Sequence, residues 1–236
     1  MLCRPIAAQQ PDEALVGELA RLLAAADARL FDASLLEAAL RSADRGVRRQ
    51  AALAAGRIGD AAAASILLPA LSDSDATVQA NAAFSLGLLK STSAVPALLE
   101  LVRAVPAAQQ DAPQAEAATA LARIGGGEAG RALHDILGNG STPGVATPRA
   151  ASAALVAAWR LGDRGLVGPI TGYADDPDPV VRWHALYALG RLRAPKGAAA
   201  LVAGLRDPDA RVRAVAARGL TRALLDSARI QWKKRG

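Results

Sequence analysis

Cysteine, histidine, lysine and aromatic residues are all scarce in this chain of 236 residues. Cys3 is the single cysteine, which excludes an intrachain disulfide and a cysteine-based zinc site. The two histidines, His134 and His184, lie far apart and neither is followed by Glu, so neither a paired metal motif nor a Ser/His/Asp grouping can be argued. The glycine run GGGEAG at 125–130 follows no strand pattern and reads as a turn between helices, not a phosphate cradle. These absences point to no catalytic residue, no metal ligand and no cofactor. Aromatics are 3% of the chain, and its 52% hydrophobic share is mostly Ala and Leu. That balance favours close-packed helices over a sheet core.

No apolar run approaches the ~18 residues of a membrane helix, so no membrane insertion is expected. The opening MLCRPIAAQQ is too short for a signal peptide, although PIAAQQPDE reads like the tail of one. As written the chain reads as soluble and cytoplasmic; a start codon further upstream would make it an exported, periplasmic protein.

What the chain does contain is a repeat. Stacking ADRGVRRQAALAAGRIG, SDATVQANAAFSLGLLK, PDPVVRWHALYALGRLR and PDARVRAVAARGLTRAL aligns Val47, Val78, Val181 and Val212. The first two valines and the last two are each 31 residues apart. Degenerate copies ending in ARIG (122–125) and WRLG (159–162) fill the gap, and an earlier copy starts at Val16. Registers therefore begin at 16, 47, 78, 113, 150, 181 and 212. Each carries apolar or small residues at its start and 4, 7, 8 and 11 positions on, as in Val181, Ala185, Ala188, Leu189 and Leu192. That is one face of a helix. Shorter helical runs lie between registers, among them AVPALLELV (94–102) and AALVAGL (199–205). A hairpin of about thirty residues cannot bury its apolar face alone and must stack on its neighbours. Residues 1–11 then form a tail, and 12–236 a single solenoid with an incomplete last helix at 228–236.

AVPALLELV, the Asp-Pro-Asp turns at 176–178 and 207–209, and the runs VVRWHALYALGRL (180–192) and ARVRAVAARGL (210–220) resemble the HEAT-repeat superfamily. The likeness is strongest to its bacterial branch related to phycobilisome lyase HEAT-like repeats, from about Asp12 to Ala228. The resemblance implies an all-α, right-handed α-solenoid of antiparallel helix pairs, about 13–14 helices in all. It also implies a binding scaffold whose long helices line a concave surface. HEAT-like iron hydroxylases carry paired His-Glu motifs that are missing here, and the bilin lyase relatives identify no catalytic residue. Similar repeats precede cyclophilin-type prolyl isomerase domains, so an accessory array of a larger or lyase-like enzyme is a further reading.

Asp44, Asp75, Asp178 and Asp209 share one repeat position, followed four residues later by Arg48, Gln79, Arg182 and Arg213. An acid at a helix start accepts orphan N–H groups, and its i,i+4 partner lies on the same face. Across repeats this spacing predicts a ladder of hydrogen bonds along one edge. The middle copies break it, with Gln110/Gln114 and Thr147/Ala151, and carry longer turns at 104–113 and 138–148. Such insertions on one side of a solenoid often mark a binding edge.

Opposite the buried stripe fall Phe84, Trp159, Trp183 and Tyr187, four of the seven aromatics. Arg57, Arg123, Arg160, Arg191 and Arg222 recur one residue before the last apolar position. Aromatic and arginine residues are enriched at interaction hot spots, so a protein or peptide partner is expected here. Packing of the rings between helices is the competing reading. The charge, 28 basic against 22 acidic residues, keeps duplex DNA as an alternative partner for the arginines. Lysine is confined to Lys90, Lys196, Lys233 and Lys234, and acids are interspersed throughout, which weighs against it. Aligning ARIQWKKRG places Trp232 where Leu67, Leu98 and Leu201 stand, leaving an apolar edge for a further domain, a partner or a second copy.

Overall fold

Alanine and leucine at helical spacing, punctuated by Asp, Pro and Gly, dictate short helices with sharp ends. The computed structural model describes residues 13–104, 111–138 and 147–221, with Leu224 and Asp226. Its α-helices are α1 (Glu13–Ala28), α2 (Ala33–Leu40), α3 (Arg45–Ile58), α4 (Ala63–Leu67), α5 (Ala76–Leu88), α6 (Val95–Arg103) and α7 (Ala112–Ile124). They continue with α8 (Gly126–Leu137), α9 (Pro148–Leu161), α10 (Val167–Gly172), α11 (Pro179–Leu192), α12 (Ala198–Gly204) and α13 (Ala210–Gly219). No strand occurs among the described residues. The odd-numbered helices carry the registers and stack each on the next, from α1 to α13. The shorter even-numbered helices form a second layer, so the chain is an all-α solenoid with one continuous core between its layers.

Helix starts follow the sequence signals. Asp32, Asp44, Asp75, Asp178 and Asp209, and Thr147 in the degenerate copy, each accept a backbone N–H from the first turn of their helix. Helices α3 and α9 end on Gly59 and Gly162 in the left-handed conformation. Lys90 and Arg193 hold the equivalent turns with φ +51° and +49°, where a side chain is disfavoured. The first register departs from its expected position. Val16 is 52% exposed, while Leu22 and Ala26 are buried and Leu15 and Leu19 pack against the core. The face therefore begins at Leu15, because ALVGELARLL carries two apolar stripes one residue apart and the leucine-richer one is buried.

Small residues set the distance between stacked helices. A Cβ added to Gly56 would lie 2.8 Å from the Ser85 Cα, one at Gly87 2.9 Å from the Ala120 Cα, and one at Gly190 2.8 Å from the Gly219 Cα. In each case the ninth residue after one register start meets the seventh after the next. This seam of near backbone contact recurs between α3 and α5, α5 and α7, and α11 and α13. Buried Ser85 fits it by donating its hydroxyl to the Ala52 carbonyl at 2.7 Å.

The polar ladder has a different wiring from the expected i,i+4 pairing. Arg48 does not bond its own cap, Asp44. Its Nε and Nη2 donate to both carboxylate oxygens of Asp73, in the next repeat, at 2.8 and 3.0 Å, and its Nη1 to the Ser42 and Ala43 carbonyls. Arg182 repeats the arrangement with Asp207 at 2.8 and 2.9 Å and with the Asp176 and Pro177 carbonyls. Arg213 bonds the Asp207 and Pro208 carbonyls, and Gln79 the Asp73 carbonyl. The bridging acids stand two residues ahead of the caps, where they also accept the cap N–H. In the degenerate middle, Gln114 donates to the Ala104 carbonyl and Arg149 pairs with Asp111 at 3.3 Å. Gln110 and most of both long turns lie outside the described residues.

Burial raises the Asp73 pKa, but the Arg48 hydrogen bond and the Asp75 N–H outweigh it and hold the carboxyl below its ordinary value. Asp207 is lowered first by its Arg182 hydrogen bond. The Arg49 hydrogen bond takes Asp75 down to about 2.

Two measurements test this account. Gly17→Ala, with open space around its Cβ on α1, is expected to stabilise the protein by about 0.5–1 kcal/mol through helix propensity. Gly190→Ala carries the same propensity gain but must separate two backbones. It is expected to cost about 1–3 kcal/mol by denaturant titration. For the ladder, carboxylates depressed in the folded state contribute stability fully above about pH 4. That contribution fades as pH falls, down to about 2 for Asp75. Asp207→Ala strands Arg182, whose side chain is 13% exposed, and is expected to lose about 2–3 kcal/mol at neutral pH and flatten the acid limb.

Candidate functional site

The aromatic residues mark where the repeat is broken. Trp159 of α9 stands ninth in its register, the slot of Gly56, Gly87 and Gly190. An indole in a glycine seam cannot lie between touching backbones, so it must turn aside and find other cover. It meets Tyr187 of α11 edge-on, ring centroids 5.8 Å apart at 80°, while the Arg191 guanidinium lies 4.8 Å from the Trp159 ring. Its Nε1 is buried with no hydrogen-bond partner, a desolvation cost borne by the packing. Tyr187 in turn stacks on Trp183 at 5.2 Å and 7°. Three rings and one guanidinium from two helices thus form one group, partly buried against the core.

Phe84 does not join that group. It lies two long helices away on α5, where Arg123 of α7 covers its ring at 4.7 Å and also pairs with Glu116 at 2.6 Å. Arg57 likewise reaches back one repeat, to Asp27 at 3.3 Å. The recurring arginines are therefore inter-repeat clasps at Arg57, Arg123 and Arg191. Arg160 is exposed at the end of α9, while Arg222 and Trp232 lie outside the described residues. His184 donates Nδ1–H to the Val180 carbonyl at 2.8 Å and touches the edge of Trp183, which uses its ring structurally.

Sequence reasoning missed the groove beside the rings. Between α11 and α13 lies an open groove of about 570 Å³ walled by Trp183, Tyr187, Leu186 and Val215. Its rim carries Arg164, Arg191, Arg193 and Arg218. Arg218 holds the register position of Phe84 and Tyr187 but carries no ring, and Arg164 matches no recurring arginine, so three-dimensional placement is what brings them together. Tyr173 was also invisible as a special residue. Its ring is buried and its hydroxyl unpartnered, and burial, with Asp176 nearby, pushes its pKa up to about 12. Among the described residues no group of His, Cys, Asp and Glu is placed to hold a metal ion, and no helix is long and apolar enough to cross a membrane.

Comparison with known proteins agrees with this architecture. A family model described as HEAT repeats matches residues 33–112, 66–150 and 146–221. No curated protein matches the chain. Among solved structures, the archaeal HEAT-like repeats protein from Thermococcus onnurineus NA1 superposes with a TM-score of 0.60 at 17% identity, covering 94% of this chain and 99% of that one. The complex of CpcE and CpcF of phycocyanin lyase from Nostoc sp. PCC7120 gives 0.55 at 24% identity, over 92% and 79% of the two chains. These likenesses concern the fold, and the repeat match covers most of the sequence: the chain belongs to the HEAT repeat family.

Proposed function

We propose that the chain is a non-catalytic scaffold that captures a protein or peptide segment on its long-helix face, at the groove between α11 and α13. The observation that carries this reading is the Trp183–Tyr187 stack, two parallel rings at the wall of an open groove, in a chain with few aromatics. Paired rings with arginines around them offer flat apolar area and charge at small entropic cost, the composition of binding hot spots. The sparse titratable chemistry of the face gives a catalytic reading little to stand on.

Duplex DNA has less support. Arg57, Arg123 and Arg191, members of the series offered as phosphate contacts, are turned onto Asp27, Phe84 and Trp159. What remains is a local cluster at one end, not a track of cations at phosphate spacing.

Trp159 is a poor probe of binding, since its ring packs against Tyr187 and Arg191 of the next repeat and its removal is expected to lower stability. Trp183 and Tyr187 are the informative positions. Selection of displayed random peptides on the immobilised chain is expected to enrich sequences that Trp183→Ala and Tyr187→Ala each bind about tenfold more weakly or worse. Thermal melts of both variants check that the fold persists. Peptides that bind the folded variants as tightly as the wild type, or no enrichment at all, would sink the reading.

A further inference from the structure

The groove beside Trp183 is one-sided in charge. Arg164 from the turn before α10, Arg191 and Arg193 from the end of α11, and Arg218 of α13 converge on it, and no Asp or Glu is among its lining residues. By contrast, Arg48, Arg49, Arg182 and Arg211 each hold a carboxylate. At the groove, Arg164, Arg193 and Arg218 are exposed and make no side-chain hydrogen bond or ion pair among the described residues. Three unpaired cations around a pair of stacked rings favour an acidic ligand over a basic one.

Arg193 adds a second observation. It occupies a left-handed turn, φ +49°, held by Gly59 and Gly162 in two other repeats and by Lys90 in a third. A guanidinium is thus held at the groove rim in a conformation that favours glycine.

Resting on the docking role of the groove, we infer that its partner segment is acidic: a peptide that lays an aromatic or aliphatic side chain on Trp183 and Tyr187 and sets carboxylates against Arg164, Arg193 and Arg218. Guanidinium groups bind carboxylates in bidentate fashion, and exposed ones form pairs that weaken with salt. The groove volume of about 570 Å³ suits a few side chains of an extended segment.

The test uses the full chain and short fluorescein-labelled peptides that share their phenylalanines and differ only in carrying Glu, Gln or Lys between them, read by anisotropy. The Glu peptide is expected to bind about tenfold or more tightly than the Gln peptide, with an advantage that shrinks as salt rises, and the Lys peptide not at all. Arg164→Ala with Arg218→Ala is expected to erase most of that advantage. Arg193→Gly separates binding from folding, since it removes the charge while relieving the backbone. It is expected to weaken the Glu peptide several-fold while melting no lower than wild type. Equal binding of Glu and Gln peptides, both lost in Trp183→Ala, would overturn the acidic partner and leave the docking site standing. Binding of no peptide overturns both. Displacement of the Glu peptide by a short DNA duplex at matched charge also overturns the inference.

Discussion

The near contact of backbones along the long-helix seam is the constraint from which the rest of this solenoid follows. When one helix lies within a Cβ radius of the next, residues nine and seven of successive registers must be Gly, Ala or Ser, and Gly56, Gly87, Ser85, Ala120 and Gly219 comply. Close approach gives many weak dispersion contacts from small side chains, so the core is built mostly from Ala, Val and Leu, with Tyr173 its fully buried ring. The composition of the chain is in this sense a consequence of helix spacing. The same closeness brings each turn to a fixed height beside its neighbour, close enough for one arginine to span two repeats.

That span explains the ladder's wiring. Arg48 and Arg182 each tie the turn before their own helix to the acid of the next turn, so each arginine is a staple between consecutive repeats. The flanking cap acids, Asp75 and Asp209, are left to their N-termini, Arg49 and Arg211. A bidentate pair with both side chains largely buried is worth more than a surface ion pair, and removing one partner strands a charge. Stacking is therefore cooperative along this edge, while the degenerate middle, with Gln114 and Ala151 at the arginine position, is held by the apolar core and weaker contacts.

Much of the fold was legible because a repeat multiplies a weak local signal. The 31-residue spacing, the capping acids and the buried stripe all follow from rules that act within one helix, and they recur often enough to be unambiguous. Rules that act between helices were not legible. Sequence spacing paired Arg48 with Asp44, four residues away, because the 25-residue partner Asp73 becomes a neighbour only once two turns are stacked. Val16 and Leu15 were indistinguishable until packing selected one stripe. The arginine series looked like one surface, but each member's role depends on whether Asp27, Phe84 or Trp159 lies behind it. Arg164 matches no recurring arginine, Arg218 stands at the register position of Phe84 and Tyr187, and the two meet at the groove only through tertiary placement.

The aromatic group gains its meaning from the seam. Position nine is where the solenoid tolerates least, and α9 places there the largest side chain available. Trp159 cannot share that space with a touching backbone, so its ring is displaced onto Tyr187 and under Arg191 of the next helix. Tyr187, fixed on one side by this contact, presents its other surroundings to Trp183 in a parallel stack. The rings at the groove are thereby oriented by a residue that does not line it. One departure from the repeat at the seam thus organises a group of packed rings one helix further on, beside the groove proposed to take a partner.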